Sequence, residues 1–162
     1  MQTYLPYADF AASARALDPR RLGRQRVEAL QVLRALTTPG SAWRHHPAVL
    51  MWRGHAEALG SYGVTVCRAW FVLGFADSCE LRLREELARV GVAAPRPQEE
   101  LAAAGALPPW LGDPALHRSH RSNLVRKDPA FYKERFPDVP DDLPYVWPVR
   151  SATRNPSRGR SR

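Results

Sequence analysis

The sequence predicts a mainly α protein: a compact single-domain helical fold of three main helices, several shorter ones and an extended C-terminal segment. Three observations point there. Apolar residues recur at helical spacing over long stretches. Asp, Ser and Pro stand where those stretches begin, and Gly where they end. No stretch alternates in the manner of paired strands, and no internal repeat is visible. A chain of 162 residues suits one domain with a sizeable core. The expected division is a helical domain over residues 1–150 and a tail over residues 151–162.

Residues 1–6 read as a short extended lead, ended by Pro6. Asp9 can cap a brief helix through Phe10, Ala14 and Leu17. The strongest helix follows, from Asp18 to Leu36. Asp18 is a good N-cap, and Pro19 sits at the first helical position, where its missing N–H costs nothing. Leu22, Ala29, Leu33 and Leu36 make one apolar stripe. The cluster Thr37-Thr38-Pro39-Gly40 stops it. Pro47 opens a second helix, with His45 and His46 just outside. It is expected to run to Leu73 and to stop at Gly74. Leu50, Ala58, Val66, Trp70 and Leu73 give it a core face. Gly54, Gly60 and Gly63 lie within it. An interior glycine costs about 1 kcal/mol against alanine. Three of them signal close packing against another helix, or a break near Gly60–Gly63.

Asp77 or Ser78 caps a third helix, CELRLREELARV, ended by Gly91. One or two weak helical turns follow around Glu99–Ala104, then a loop over Leu107–Pro114. Ala115 to Lys127 reads as a polar helix, and Pro129 starts a short aromatic one, AFYKERF. Residues 137–149 are proline-rich and extended, with Tyr145 and Trp147 packing back onto the helices. Residues 151–162 have no apolar anchor and carry Arg154, Arg158, Arg160 and Arg162, so they read as a disordered basic tail.

Net charge is +8 and the pI is about 10.3. That balance favours a polyanionic partner, usually nucleic acid, though basic proteins without that role exist. Arginine outnumbers lysine and suits forked contacts with phosphate. Cys67 and Cys79 have no metal-type spacing, and Cys67 reads as core. The N-terminus lacks the basic region and apolar run of a signal peptide, and no segment has the apolar length of a membrane span. The cytoplasm is the expected compartment. No metal, no cofactor and no obligate protein partner is expected.

Three groups of residues could carry chemistry. On the strongest helix, Glu28 is one carboxylate in a field of arginines: Arg20, Arg21, Arg24, Arg26 and Arg34. At about 100° per residue, Glu28 lies with Arg21 and Gln25 on one flank of the apolar stripe, one turn after Arg24. It is either a counter-ion to Arg24, worth about 0.2–0.5 kcal/mol, or a catalytic carboxylate. The second group is the polar helix. There His117, Arg118, His120, Arg121, Asn123 and Lys127 bring imidazoles, guanidiniums and an amide together, groups suited to phosphates and base edges. A solvated helix face is the plainer reading. His117 and His120 have a spacing one helix face permits, yet no cysteine or carboxylate cluster completes a metal site. The third group is aromatic: Trp43, Trp52, Phe131, Tyr132 and Trp147. Aromatics beside basic residues can stack on unpaired bases, although most such residues belong to a core.

The order of these motifs resembles the pyrimidine-dimer DNA glycosylase family of the phage endonuclease V type. RRLGRQRVEAL is similar to the family's first helix, and Glu28 falls on the position of its catalytic glutamate. Gly54-His55 with the helix ending at Leu73-Gly74-Phe75 is similar to its central helix. HRSHRSNLVRKDP resembles the bacterial form of its late helix, and Phe131-Tyr132-Lys133 its C-terminal aromatic segment. The resemblance implies removal of a damaged or modified DNA base, with or without lyase activity, and no metal. An N-terminal amine would attack the sugar C1′, expel the base and form a Schiff base; β-elimination could then cut the strand. An α-amine titrates near 7.7–8.0 and so keeps a neutral fraction near pH 7. The carboxylate stabilises the cationic sugar and moves protons.

Carried onto this sequence, Glu28 and the amine of Met1 are the catalytic pair. Arg20, Arg21, Arg24 and Gln25 line the site, and the basic groups of the late helix hold DNA. Two positions depart from the phage pattern. Gln2 is too bulky for removal of the initiator methionine, so the amine is expected on Met1, one residue out of place: either Met1 serves as the nucleophile in a shifted register, or the lyase chemistry is lost. Arg21 stands where the phage enzyme has a histidine, which points to a different damaged or modified base. Two other readings stay open: a non-catalytic DNA-binding protein on the same fold, and an enzyme acting on free nucleosides or nucleotides.

Overall fold

The structure is a computed structural model and describes residues 1–148. The basic tail expected over residues 151–162 lies outside the described residues. Eight helices lie among them, and no strand. They are α1 (Phe10–Ala16), α2 (Pro19–Thr37), α3 (Pro47–Leu50), α4 (Ala56–Val72), α5 (Cys79–Ala88), α6 (Gln98–Ala103), α7 (Pro114–Lys127) and α8 (Pro129–Tyr132). The mainly α, single-core architecture is the one the sequence predicts. One cluster of buried apolar side chains runs from Tyr4 to Phe136.

Local signals explain the helix starts. Asp9, Asp18, Asp113 and Asp128 each accept from a backbone N–H of the helix they precede, and Pro follows at the head of α2, α7 and α8. Asp77 Oδ2 accepts from Glu80 N, so the aspartate rather than Ser78 closes the open end of α5.

The second predicted helix is corrected. It does not run unbroken from Pro47 to Leu73, and its break is not at Gly60–Gly63. Gly54 adopts φ +81, a left-handed conformation that interrupts the helix between α3 and α4. Gly60 and Gly63 serve the other role their sequence suggested. A Cβ on Gly63 would stand 2.8 Å from Leu83 Cδ1, and one on Gly60 would collide with Leu87. The two glycines let α5 lie close against α4. α4 is thereby the hub, packed by α1, α2, α5 and α6.

The N-terminal segment does not pair in a sheet. Thr3, Tyr4 and Leu5 are nonetheless buried, so their backbone groups need partners from side chains. Tyr4 N donates to Gln25 Oε1 at 2.8 Å, and Tyr62 Oη donates to Tyr4 O at 2.8 Å. Leu5 N donates to His120 Nδ1 at 2.9 Å, while His117 Nδ1 donates to Leu5 O at 2.8 Å. Trp52 Nε1 donates to Thr3 Oγ1, and Arg121 to Pro6 O. Helices α2, α4 and α7 and the turn after α3 thus grip the lead like a thread.

Candidate active site

The lead emerges beside Glu28. There a cleft of about 550 Å³ opens between the lead, α2, α7 and the C-terminal segment. Met1, Arg20, Arg21, Arg24, Gln25 and Glu28 line it, all of them expected from the sequence. Asn123 and Lys127 of α7 complete the opposite wall. Gln2, Tyr4 and Tyr145 also line it and were not expected.

Glu28 is only 7% exposed. Arg24 Nε donates to its Oε1 at 2.9 Å, and Gln25 Nε2 to its Oε2 at 3.1 Å. The ion pair anticipated with Arg24 is therefore present. Arg24 itself is largely in solvent, which screens the pair and leaves its stabilising value small. The pair and a catalytic role are compatible, because it fixes the direction of the carboxylate.

Gln25 links the two halves of the site. Its Nε2 donates to Gln2 O at 2.9 Å as well as to Glu28, and its Oε1 accepts from Tyr4 N and Tyr62 Oη. One buried amide holds the start of the chain and the carboxylate in a fixed relation. Burial, and then the charge of Glu28, push the Tyr4 phenol up to about 12, and the same causes push Tyr62 higher still. These phenols remain neutral donors around the carboxylate at any physiological pH.

Arg21 is held apart from Glu28. Its guanidinium pairs with Asp18 Oδ2 at 2.6 Å and reaches Asp128 Oδ2 at 3.3 Å. Tyr132 Oη donates to the same Asp18 oxygen at 2.6 Å, and its ring lies under the guanidinium. Burial pushes the Asp18 carboxyl up, but the hydrogen bonds of Tyr132 and Arg21 outweigh it and hold it below the usual range. Asp18 thus caps α2, anchors Arg21 and ties α8 to α2. Nothing in the local sequence announces the Tyr132 partnership, which joins residues far apart in the chain.

The late helix is the main correction. His117 and His120 were expected to contact DNA, but they are 5% and 0% exposed. Gly112 N donates to His117 Nε2, whose Nδ1 proton goes to Leu5, and His120 Nδ1 accepts from Leu5 N. Both rings are therefore neutral. Burial pushes His117 down, and burial with the neighbouring His117 pushes His120 down to about 3. A neutral, enclosed imidazole engaged with backbone does not bind phosphate. Among the described residues, no group of three or more His, Cys, Asp or Glu gathers as a metal site.

Arg118 and Arg121 point elsewhere than the cleft. Arg118 donates to Asp138 O, and Arg121 to Pro6 O over the Tyr7 ring. Ser119 and Ser122 accept from Val146 N and Leu143 N, and Arg126 donates to the carbonyls of Asp141 and Leu143. Much of the polar face of α7 straps the C-terminal segment down, and Asn123 and Lys127 are the polar groups it leaves to the cleft. The strap carries Tyr145 into the cleft wall, its ring 4.8 Å from that of His120. The aromatic group also divides. Trp52 and Tyr132 are core, Phe131 and Trp147 pack partly buried against it, and Trp43 stands 56% exposed.

A family model described as pyrimidine dimer DNA glycosylase matches residues 1–83. No curated protein and no solved structure matches the chain. The match covers the threaded lead, all of α2 with Glu28 and Gln25, and the hub helix α4 that packs beneath them. With just over half of the chain matched, and the Glu28 wall of the cleft inside that match, the protein belongs to the pyrimidine dimer DNA glycosylase family.

Proposed function

We propose that the protein removes a damaged or modified base from DNA, with the amine of Met1 as nucleophile and Glu28 as the assisting carboxylate. One observation carries this reading: Gln25 binds Gln2 O and Glu28 through the same amide nitrogen, which places the first residue in the cleft that Glu28 floors. The amine forms a bond to the sugar C1′ as the C1′–base bond breaks and the base leaves with a proton. Loss of an amine proton and opening of the sugar ring give the imine. Glu28, held by Arg24 and Gln25, is oriented to stabilise the cationic sugar and to accept a proton. Where β-elimination follows, a C2′ proton passes to a base, the C2′=C3′ double bond forms, the C3′–O bond breaks with the phosphate as leaving group, and the strand is cut. Arg20, Arg21, Arg24 and Lys127 ring the cleft and supply phosphate contacts; Asn123 offers an amide to a base edge. Arg21 in place of a histidine suits a lesion other than the crosslinked dimer.

Incubation with duplexes bearing a panel of lesions, with and without borohydride, tests it on a denaturing gel. Borohydride is expected to trap a covalent complex, and Glu28→Gln to abolish base release while DNA affinity stays within about twofold. Salt-dependent binding with neither product nor trapped complex on any lesion supports the non-catalytic reading. Intact mass identifies the residue that bears the amine.

A further inference from the structure

The end of α4 departs from the rest of the surface. Phe71 and Val72 are 69% and 82% exposed, and Leu73 and Phe75 beside them are also exposed. A monomer seldom leaves so contiguous an apolar patch in water unless something binds there. The patch runs into a groove of about 510 Å³ between α1 and α4, which shares no residue with the Glu28 cleft. Thr65, Arg68, Ala69, Val72 and Leu73 recur at i, i+3, i+4, i+7 and i+8, so one face of α4 and its C-cap line the groove. The buried residues Ala14, Leu17 and Leu22 form its floor. Two arginines, Arg15 and Arg68, stand in the lining, and no acid does. Arg15 is in no ion pair among the described residues. Arg68 lies 3.8 Å from Glu80 Oε1, an oxygen that Arg84 already holds at 2.7 Å.

We propose that this groove docks an amphipathic, acidic helix of a protein partner. Apolar side chains at i, i+3 or i+4 and i+7 of that helix fill the groove, and its carboxylates meet Arg15 and Arg68. Charge complementarity selects this occupant over the others. A second copy meeting groove to groove would set Arg15 and Arg68 against their own equivalents. Residues 151–162 carry four arginines, no acid and no Leu, Ile, Val, Met or aromatic residue to enter the groove. A phosphate backbone has no apolar side chain to place there, and a concave groove matches the cylinder of a helix better than a flat lipid surface. The inference is independent of the glycosylase reading, and docking leaves the Glu28 cleft free for DNA.

The test uses the full chain with Val72→Asp and the double variant Arg15→Glu/Arg68→Glu, each checked for an unchanged melting temperature. The probes are a labelled helical peptide with leucines at i, i+4 and i+7 on an Ala/Glu background, its Ala/Lys counterpart, and the acidic peptide with serines in place of leucines. Fluorescence anisotropy should show the acidic leucine peptide binding at least about tenfold more tightly than either control. Val72→Asp should weaken it by at least about tenfold, and the double variant should prefer the lysine peptide. Amide shifts on binding should centre on the groove residues, and a short DNA duplex at saturation should not displace the peptide. Absence of binding, equal binding of either control peptide, or binding indifferent to both variants overturns the proposal. Displacement by the duplex assigns the peptide to the basic cleft and also overturns it. Concentration-dependent dimerisation that Val72→Asp abolishes gives the face to a second copy. Co-sedimentation with phosphatidylserine vesicles that Val72→Asp abolishes gives it to a membrane, and either result overturns the helical partner.

Discussion

Gln25 has two acceptor and two donor positions on its amide, and all four are used. It is 1% exposed and Tyr4 is buried with it, so Tyr4 N has no water to turn to if the amide is removed. Gln25→Met keeps length and volume and deletes every hydrogen bond. Each buried group left unpaired costs about 1–3 kcal/mol, so chemical denaturation should show a loss of several kcal/mol. Single-turnover rates should fall more than DNA affinity, because the lead and Glu28 lose their common tether. Equal rates in the two proteins would show that Gln25 does not position the pair. Glu28 itself is ambiguous at this scale: its bond to Arg24 is an ordinary helix ion pair, and what marks it out is the amide and the chain start that it shares.

At the scale of the element, α4 and α5 meet through missing side chains. An exposed helical Gly→Ala exchange usually stabilises by about 0.5–1 kcal/mol. At Gly60 the added methyl meets Leu87, which is fully buried and has nowhere to move. Gly60→Ala should therefore destabilise, by about 1–3 kcal/mol, read as a lower midpoint of urea unfolding. The same scale explains α7. Its row of Ser, Arg and His has the composition of a nucleic-acid contact, yet the helix spends it on two segments without regular structure, the lead and the strap. Such segments have backbone donors and acceptors with no ladder to join, and polar side chains from a neighbouring helix satisfy them.

For the whole molecule, the enclosed histidines tie stability to pH. An unfolded chain protonates His120 near its ordinary value of 6.5, whereas the folded ring resists down to about 3. The unfolded state therefore binds more protons in that window. The stabilisation is complete above about pH 6.5 and is lost as pH falls towards about 3, at up to about 1.4 kcal/mol per unit for each such proton. His117, pushed down by burial, adds in the same direction, and Asp18, held below the usual carboxylate range, adds at lower pH. The melting temperature should be flat near neutrality and drop below about pH 6. In His120→Asn the drop should be shallower, and a parent whose melting temperature stays level down to pH 4 would contradict the account.

Helix by helix, the chain's local signals settled most of the fold. Periodicity and caps place α1, α2 and α5–α8 because a helix is decided by residues within a few positions of one another. Glu28 on the flank of α2 was legible for the same reason, as was the basic character of the molecule. Tertiary structure decided the rest. The break at Gly54 follows from one left-handed residue that a helical pattern alone does not reveal. The cleft needs Asn123, Lys127 and Tyr145 from the far end of the chain to face Glu28. The fate of His117 and His120 depended on the lead, more than 100 residues away, which has no sheet to satisfy its backbone and takes their nitrogens instead. Side-chain type announced that α7 would make hydrogen bonds; only the packing of distant segments determined with what.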